Sequence, residues 1–482
     1  MNLLLIFNII GTVLIIISFF MALPVAVSVM DGGRDLLSLA ASAGATLVAG
    51  GALSAITRGS RRDEIKHRDV FGVVTFAWLA ASLFGALPFA LSGSVELFTD
   101  AYFEAMAGFT TTGATVIADV ESLSMGVLFW RSLTQWLGGM GIILFAIAIL
   151  PFIGTGGMQL FKAEAPELTV DRLRPRIIDT AKALWYIYAA LTAAAFGLYM
   201  WGGMGAFDAV CHAFTTLATG GFSTKNTSLA YYQSPFIDAV ATVFMFLAGV
   251  NYAIYFYTLK GDIFRFWRSS EFRFYLTITA GAIALITAAN YGSVYPTLAG
   301  SLRYSAFQVV SVMTTTGYAT ADYEFWVPFS VILLAFLMFF GGMIGSTGGG
   351  MKQVRVLLML KQSYRELYQL IHPHAVTTVK LDGRPIQKEL LGSIWGFLFL
   401  FLFILVVSTL GMTALGLDMV TASSTVLSAM SNVGPALGEA GPAENYSGIP
   451  AAGKWILVFC MLAGRLEIYT VIILFVPRFW KK

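Results

Sequence analysis

A Thr/Gly-rich turn recurs four times in this chain, and no other feature restricts its fold as much. It reads Thr110-Thr111-Thr112-Gly113, Ala218-Thr219-Gly220, Thr314-Thr315-Thr316-Gly317 and Ser431-Asn432-Val433-Gly434, with the glycines 107, 97 and 117 residues apart. Each copy follows an apolar segment too short to cross a bilayer and precedes one long enough to do so. A unit repeated at this spacing has to be read before any single element.

Of the 482 residues, 57% are hydrophobic and 12% charged, against roughly 25% charged in soluble domains. Apolar runs of about twenty residues, enough to cross a hydrocarbon core, recur along the whole chain. The expected class is therefore an all-α integral membrane protein in contact with membrane lipid. A formal net charge of +3 gives no basic surface for nucleic acid. The two cysteines, Cys211 and Cys460, sit in apolar stretches without metal-site or disulfide spacing and are read as core residues.

The run from Leu3 to Met30 is too long for a signal h-region, lacks a basic n-region and is followed directly by a second span, Leu36 to Ile56. Residues 1–57 are thus read as two retained transmembrane helices. Four units follow, over 70–154, 180–260, 272–370 and 389–478, each a span, a short apolar segment with its turn, and a second span. The short segments are Phe98–Thr112, Ala206–Thr219, Ala299–Thr316 and Met419–Val433. This layout predicts ten spans and four half-spans, with the return helix of the third unit broken.

Charge tests the layout independently. The loops joining the units and the C-terminal tail hold 24 of the 30 Lys and Arg residues. The positive-inside rule places these loops and both termini in the cytoplasm, so the half-spans enter from the outside. A half-span of about 14 residues rises only about 21 Å as a helix and must return as extended chain. Irregular backbone at that depth survives only if buried in protein or lining water. Four such returns around a pseudo-fourfold axis can present backbone carbonyls to a dehydrated cation, with the negative C-terminal ends of the half-helices aimed at it. The candidate filter is Thr111, Thr112 and Gly113; Ala218, Thr219 and Gly220; Thr315, Thr316 and Gly317; and Asn432, Val433 and Gly434. Small-residue helix packing is the simpler explanation for one copy, but it does not account for four in register. The fourth copy is the least regular, since it lacks threonines and runs into Pro435.

Two further features stand out. The run Phe340-Gly341-Gly342-Met343-Ile344-Gly345-Ser346-Thr347-Gly348-Gly349-Gly350 falls inside the third return helix. Its glycines cost helix stability of about 1 kcal/mol each, which predicts a break below the filter, with tight packing through Gly341 and Gly345 as the alternative. As a nucleotide P-loop it fails, because Gln353 follows Lys352 and no strand precedes it. Arg465 lies within the fourth return helix, where an arginine costs about 2.5–3.5 kcal/mol on insertion scales and needs partners. It is read as a donor to loop carbonyls and a barrier to cation flow, or as a structural pair with Glu467 or with those same carbonyls. Glu104, Asp100, Asp119 and Glu121 are candidates for concentrating cations at the mouth. His372 and His374 are read as part of a solvated turn.

In order, the motifs TTTGAT, ATGGFST, TTTGYAT, GGMIGSTGGGMK, SNVGP and GRLEIYT resemble those of the Trk/Ktr/HKT superfamily of potassium transporters, most closely its bacterial TrkH branch, over essentially the whole chain. The resemblance implies potassium as the transported substrate, no cofactor in this chain, and Gly113, Gly220, Gly317 and Gly434 as filter glycines. It further implies Gly345, Ser346, Thr347, Gly348, Gly349 and Gly350 as an intramembrane gate with Arg465 as the pore arginine. A homodimer in the bacterial inner membrane, assembled on a cytosolic TrkA-type ring of nucleotide-binding regulatory subunits, is also implied. The rival readings are a symporter coupling potassium to protons or sodium, for which Glu104 and Glu467 offer thin material, and an intramembrane enzyme, for which no HExxH, Ser/Lys or paired-Asp site is visible.

Overall fold

The computed structural model describes residues 2–59, 67–148 and 173–481. Of the segments that carry the orientation and the first unit's boundary, residues 60–66 and 149–172 lie outside the described ones. The described chain is helical apart from one two-stranded antiparallel hairpin, Lys380–Leu381 with Arg384–Pro385.

Leu3–Met30 and Leu36–Ile56 form an antiparallel pair whose contact is set by two small residues. A Cβ on Gly11 would lie 2.8 Å from the Gly50 carbonyl oxygen, and one on Gly50 the same distance from that of Gly11. In lipid, close backbone approach of this kind stands in for a hydrophobic driving force.

The short helices are Phe98–Phe109, Ala206–Leu217, Leu298–Met313 and Met419–Ser431. Each packs against helices of its own unit and is buried among them. The helices preceding them are His67–Gly85 with Leu87–Leu91, Leu173–Trp201, Ser270–Asn290 and Lys388–Ala414. Among the described residues, six helices are long and apolar enough to cross a membrane unbroken.

The return segments depart from expectation. Only that of the third unit was expected to break, and it does so between Pro328–Leu337 and Gln353–Ile371. The second unit's return also bends, by 91° between Pro235–Ala248 and Tyr252–Leu259, and the fourth's by 113° between Ala451–Arg465 and Tyr469–Phe475. The bend in the second unit follows Gly249, and the side chain of Asn251 restarts the helix by accepting from the Ala253 N–H at 2.8 Å. In the fourth unit Glu467 takes a left-handed conformation, φ 58°.

Several of the charges inside the bundle are paired. Glu104 is fully buried on the first short helix and accepts from Arg131 Nε at 2.6 Å, from the Thr115 hydroxyl at 3.0 Å and from the Val116 N–H at 3.0 Å. The role suggested for it at the mouth is thereby corrected, since the carboxylate faces Arg131 rather than solvent. Asp100 is paired with Lys454 at 2.7 Å, and Asp119 and Glu121 hold Asn226. Breaking a buried pair by removing one partner typically costs about 3–5 kcal/mol. Glu104→Ala should accordingly lower the thermal unfolding midpoint of the detergent-solubilised protein sharply. The double change Glu104→Gln with Arg131→Met should lower it less, and equal losses would show that no stranded charge is responsible.

Candidate ion pathway

The four short helices end alike. At Thr111, Thr219, Thr315 and Asn432 the backbone turns left-handed, with φ of 52°, 52°, 60° and 56°. Their N–H groups donate to Gly108, Thr216, Val312 and Ala429 carbonyls at 2.9, 3.1, 3.0 and 3.2 Å. The next N–H, of Thr112, Gly220, Thr316 and Val433, donates five residues back, to Ala107, Thr215, Ser311 and Ser428, at 2.9, 2.9, 2.8 and 2.9 Å. A glycine of positive φ follows in every copy: Gly113 at 78°, Gly221 at 78°, Gly317 at 80° and Gly434 at 104°.

This pattern moves the second copy by one residue relative to the sequence reading. Gly221, not Gly220, is the counterpart of Gly113, Gly317 and Gly434; Gly220 stands where the other units have Thr112, Thr316 and Val433; and Ala218 matches Thr110, Thr314 and Ser431. The shift was hidden because Gly220 and Gly221 are adjacent, so spacing alone fits either. What permits a glycine at 220 is Gln135, whose carboxamide fills the space a Cβ there would need.

The four copies close a ring. A Cβ built on Gly113 would collide with the Gly220 carbonyl oxygen, one on Gly221 with that of Thr316, one on Gly317 with that of Val433, and one on Gly434 with that of Thr112. Each glycine thus abuts the carbonyl of the next unit, and the fourth unit returns to the first. The four glycines also line one shared cavity, together with Arg131, Lys225, Pro435 and Tyr446. Left-handed geometry and close approach both call for glycine at these positions.

Against the ends of the short helices lies the segment from Gly341 to Lys352. Its chain folds on itself: Gly341 and Gly350 have φ of 71° each, Met351 N–H donates to the Phe339 carbonyl at 3.0 Å, and Gln353 Nε2 donates to that of Gly341 at 2.8 Å. Gly341 and Gly345 therefore belong to an irregular segment, not to a helix-packing face. The Thr347 hydroxyl donates to the Leu217 carbonyl at 3.0 Å, and Gly349 N–H donates to the Thr315 hydroxyl at 2.6 Å. A Cβ built on Gly348 or Gly349 would meet the carbonyl of Thr314 or Ser431, so the segment lies close against the short-helix ends of units three and four as well as that of unit two.

Its own unit and two others hold it in place. Met343 N–H donates to the Gly249 carbonyl at 2.9 Å and Tyr252 N–H to that of Gly345 at 3.1 Å, both at the bend of the second unit. Glu271 accepts from Ile344 N–H at 2.8 Å and from Val354 N–H at 3.1 Å, tying the segment to the first turn of the following helix. Arg465, at the bend of the fourth unit, donates from Nη1 to the Thr347 carbonyl at 2.7 Å and from Nη2 to that of Gly138 at 3.2 Å. The suggested pair with Glu467 is overturned, because Glu467 binds Arg355. Among the described residues no carboxylate is ion-paired to Arg465, which is 3% exposed.

Sequence reasoning missed Gly221, Gln135, Asn251 and Glu271. The doubled glycine of ATGGFST pointed to the first; Asn251 caps its own helix two residues on, whereas Gln135 and Glu271 act on residues 85 and 73 or more positions away, which no local pattern marks.

The chain matches the family model described as TrkH, cation transport protein, over residues 38–482. It is 41% identical over 426 residues to the Trk system potassium uptake protein TrkH of Salmonella typhimurium, covering 87% of this chain and 88% of that one. It is also 41% identical over 489 residues to the protein of the same name from Halomonas elongata, covering 100% of both. The crystal structure of the potassium transporter TrkH from Vibrio parahaemolyticus matches all of both chains at 36% identity with a TM-score of 0.93.

Gly203 supplies a control for the ring: its φ is 96°, yet a Cβ there would meet nothing within 4 Å. Alanine at either site pays left-handed strain of about 1–2 kcal/mol, but only at Gly221 does it also strike a carbonyl. Gly221→Ala should therefore lower the thermal midpoint by more than Gly203→Ala, and equal shifts would show that the ring tolerates the methyl group.

Proposed function

The chain belongs to the TrkH family of cation transport proteins, and on that premise we propose that it mediates potassium uptake through a gated, channel-like pore. The proposed filter is the ring of Thr111–Gly113, Thr219–Gly221, Thr315–Gly317 and Asn432–Gly434. One observation carries this reading: each ring glycine abuts the carbonyl of the next unit until the ring closes. Backbone carbonyls held this way can replace the hydration shell of potassium, and the four short helices end at the ring, with the dipole sign that favours a cation.

The proposed gate is Gly345–Gly350 with Arg465. Its support is that the segment lies across the ends of three short helices and is held by Arg465, whose charge no carboxylate neutralises among the described residues. A positive charge there opposes cation entry, and releasing Thr347 from Arg465 frees the segment to move. A symporter reading is disfavoured because Glu104 and Glu467, the acids that a proton relay would use, are each ion-paired. The enzyme reading falls with the family, whose named members are transporters. The same proposal places the protein in a bacterial inner membrane with both termini cytoplasmic, as a homodimer on a nucleotide-binding regulatory ring. Its support is the side carrying most Lys and Arg and the Trk-system naming of the relatives.

Potassium uptake is tested by growth at low potassium, and by rubidium uptake, in a strain lacking its own uptake systems; failure of both would overturn the reading. Gly113→Ser, which pushes on the Gly220 carbonyl, should lower the potassium-to-sodium permeability ratio, and an unchanged ratio would remove the ring from selectivity. Arg465→Ala should raise basal flux in folded, reconstituted protein, and equal or lower flux would contradict the gate. A reversal potential following potassium alone separates a channel from a symporter, since proton coupling would shift it with pH.

A further inference from the structure

The ring is uniform in backbone but not in its surroundings, and the difference lies at the seam between the first and second units. Gln135 belongs to the helix Met125–Ala148 and is fully buried. Its Nε2 donates to the Gly220 carbonyl at 2.6 Å, and its Oε1 accepts from the Phe222 N–H at 3.0 Å. The amide orientation is fixed by chemistry, because the Phe222 N–H can only donate and so must face the oxygen. The same Nε2 lies 3.5 Å from where a Cβ on Gly113 would sit. Gln135 therefore stands behind the point where Gly113 meets the Gly220 carbonyl.

Of the four ring carbonyls, those of Thr112, Thr316 and Val433 accept no hydrogen bond among the described residues, whereas that of Gly220 does. The sequence pattern matches this. Where the other units carry Thr112, Thr316 and Val433, the second carries glycine, and the vacated volume is taken by the carboxamide of Gln135.

We propose that Gln135 is a specificity-determining positioning residue, whose carboxamide fixes the Gly220 carbonyl in the ring and so helps set which monovalent cation the ring accepts. The proposal rests on reading the ring as the filter. A carbonyl whose oxygen is held by Gln135 Nε2 is less free to follow a smaller ion inward, and sharing one lone pair with Nε2 weakens its field; the number, position and field of the oxygens govern the choice between potassium and sodium. Gln135 is not itself placed against the ion. It acts through the Gly220 carbonyl and through the Phe222 N–H on the other side of Gly221.

The test is the potassium-to-sodium permeability ratio, from reversal potentials of the reconstituted full chain under bi-ionic conditions. Gln135→Met keeps the length of the side chain and removes both hydrogen bonds. The ratio should fall about two- to tenfold, the range corresponding to one net hydrogen bond. Should that variant fail to fold, Gln135→Ala with Gly220→Thr refills the space in the manner of the first and third units. It should be more stable than either single change and should show the same fall, because the Gly220-position carbonyl has lost its donor. A wild-type ratio in the folded variants, while Gly113→Ser still lowers it, would reduce Gln135 to packing and overturn the proposal. If Gly113→Ser also leaves the ratio unchanged, the filter reading and this proposal fall together.

Discussion

The contact on which the structure depends is that between a glycine with no Cβ and a carbonyl oxygen of the neighbouring unit, made four times around a closed ring. A short helix that stops within the membrane leaves its last carbonyls and the following strand without helical partners. Hydrocarbon offers no water to satisfy them. Here each returning strand is covered by the next unit, and the cover is complete only because the fourth unit meets the first. Any side chain at the glycine would prise the seam open. Ring closure thus demands four units, a small residue at a fixed place in each, and short helices ending at a common level.

The second constraint is the polar accounting of the segment from Gly341 to Lys352. Such a stretch buried in a membrane protein must find donors and acceptors within the protein. They come from places where other helices are interrupted: the Gly249 carbonyl and Tyr252 N–H at the bend of the second unit, and Arg465 at that of the fourth. The three interruptions form one device, since an unbroken second helix would have kept the Gly249 carbonyl for itself. Glu271 adds a charged acceptor that holds the start of the segment to the helix after it. In the proposed gate, this segment is tied to its neighbours by a handful of directional bonds, so a few substitutions would be enough to shift a two-state equilibrium.

Much of this was legible in the sequence because hydropathy and glycine cost act locally. Half-spans of about 14 residues, the four turns and the glycine run of the third unit each follow from what a short stretch can do in lipid. The exact register of the second turn was not legible, since Gly220 and Gly221 are adjacent and the choice is made by Gln135, 85 residues away. Nor were the bends of the second and fourth units, which carry single glycines and no proline and which hold the segment through the Gly249 carbonyl, the Tyr252 N–H and Arg465. Glu104 illustrates the same limit: its position suggested a mouth, and its burial against Arg131 came from another helix. What sequence missed were contacts between residues far apart in the chain, within a unit for Glu104 and between units for Gln135, which no local pattern encodes.

The fourth turn shows how far a repeat can drift while keeping its geometry. Asn432 replaces a threonine but still takes φ 56°, a conformation asparagine tolerates better than most residues. Its side chain donates to the Thr112 hydroxyl at 2.9 Å and to the Met461 carbonyl at 3.0 Å, binding the fourth unit to the first. The Gly434 carbonyl is held by the hydroxyls of Ser428 at 2.9 Å and Tyr446 at 2.6 Å. The copy least regular in sequence is thus braced by Asn432 and Tyr446, alongside a serine, Ser428, whose counterpart Ser311 in the third unit donates to the Tyr318 carbonyl at 2.7 Å. Fourfold symmetry is kept in the backbone, where ring closure acts, and abandoned in the side chains behind it. Those side chains are free to differ only so long as each returns its strand to the same place, which makes the shell behind the ring, more than the ring itself, the place where one unit's oxygen can be tuned without moving the other three.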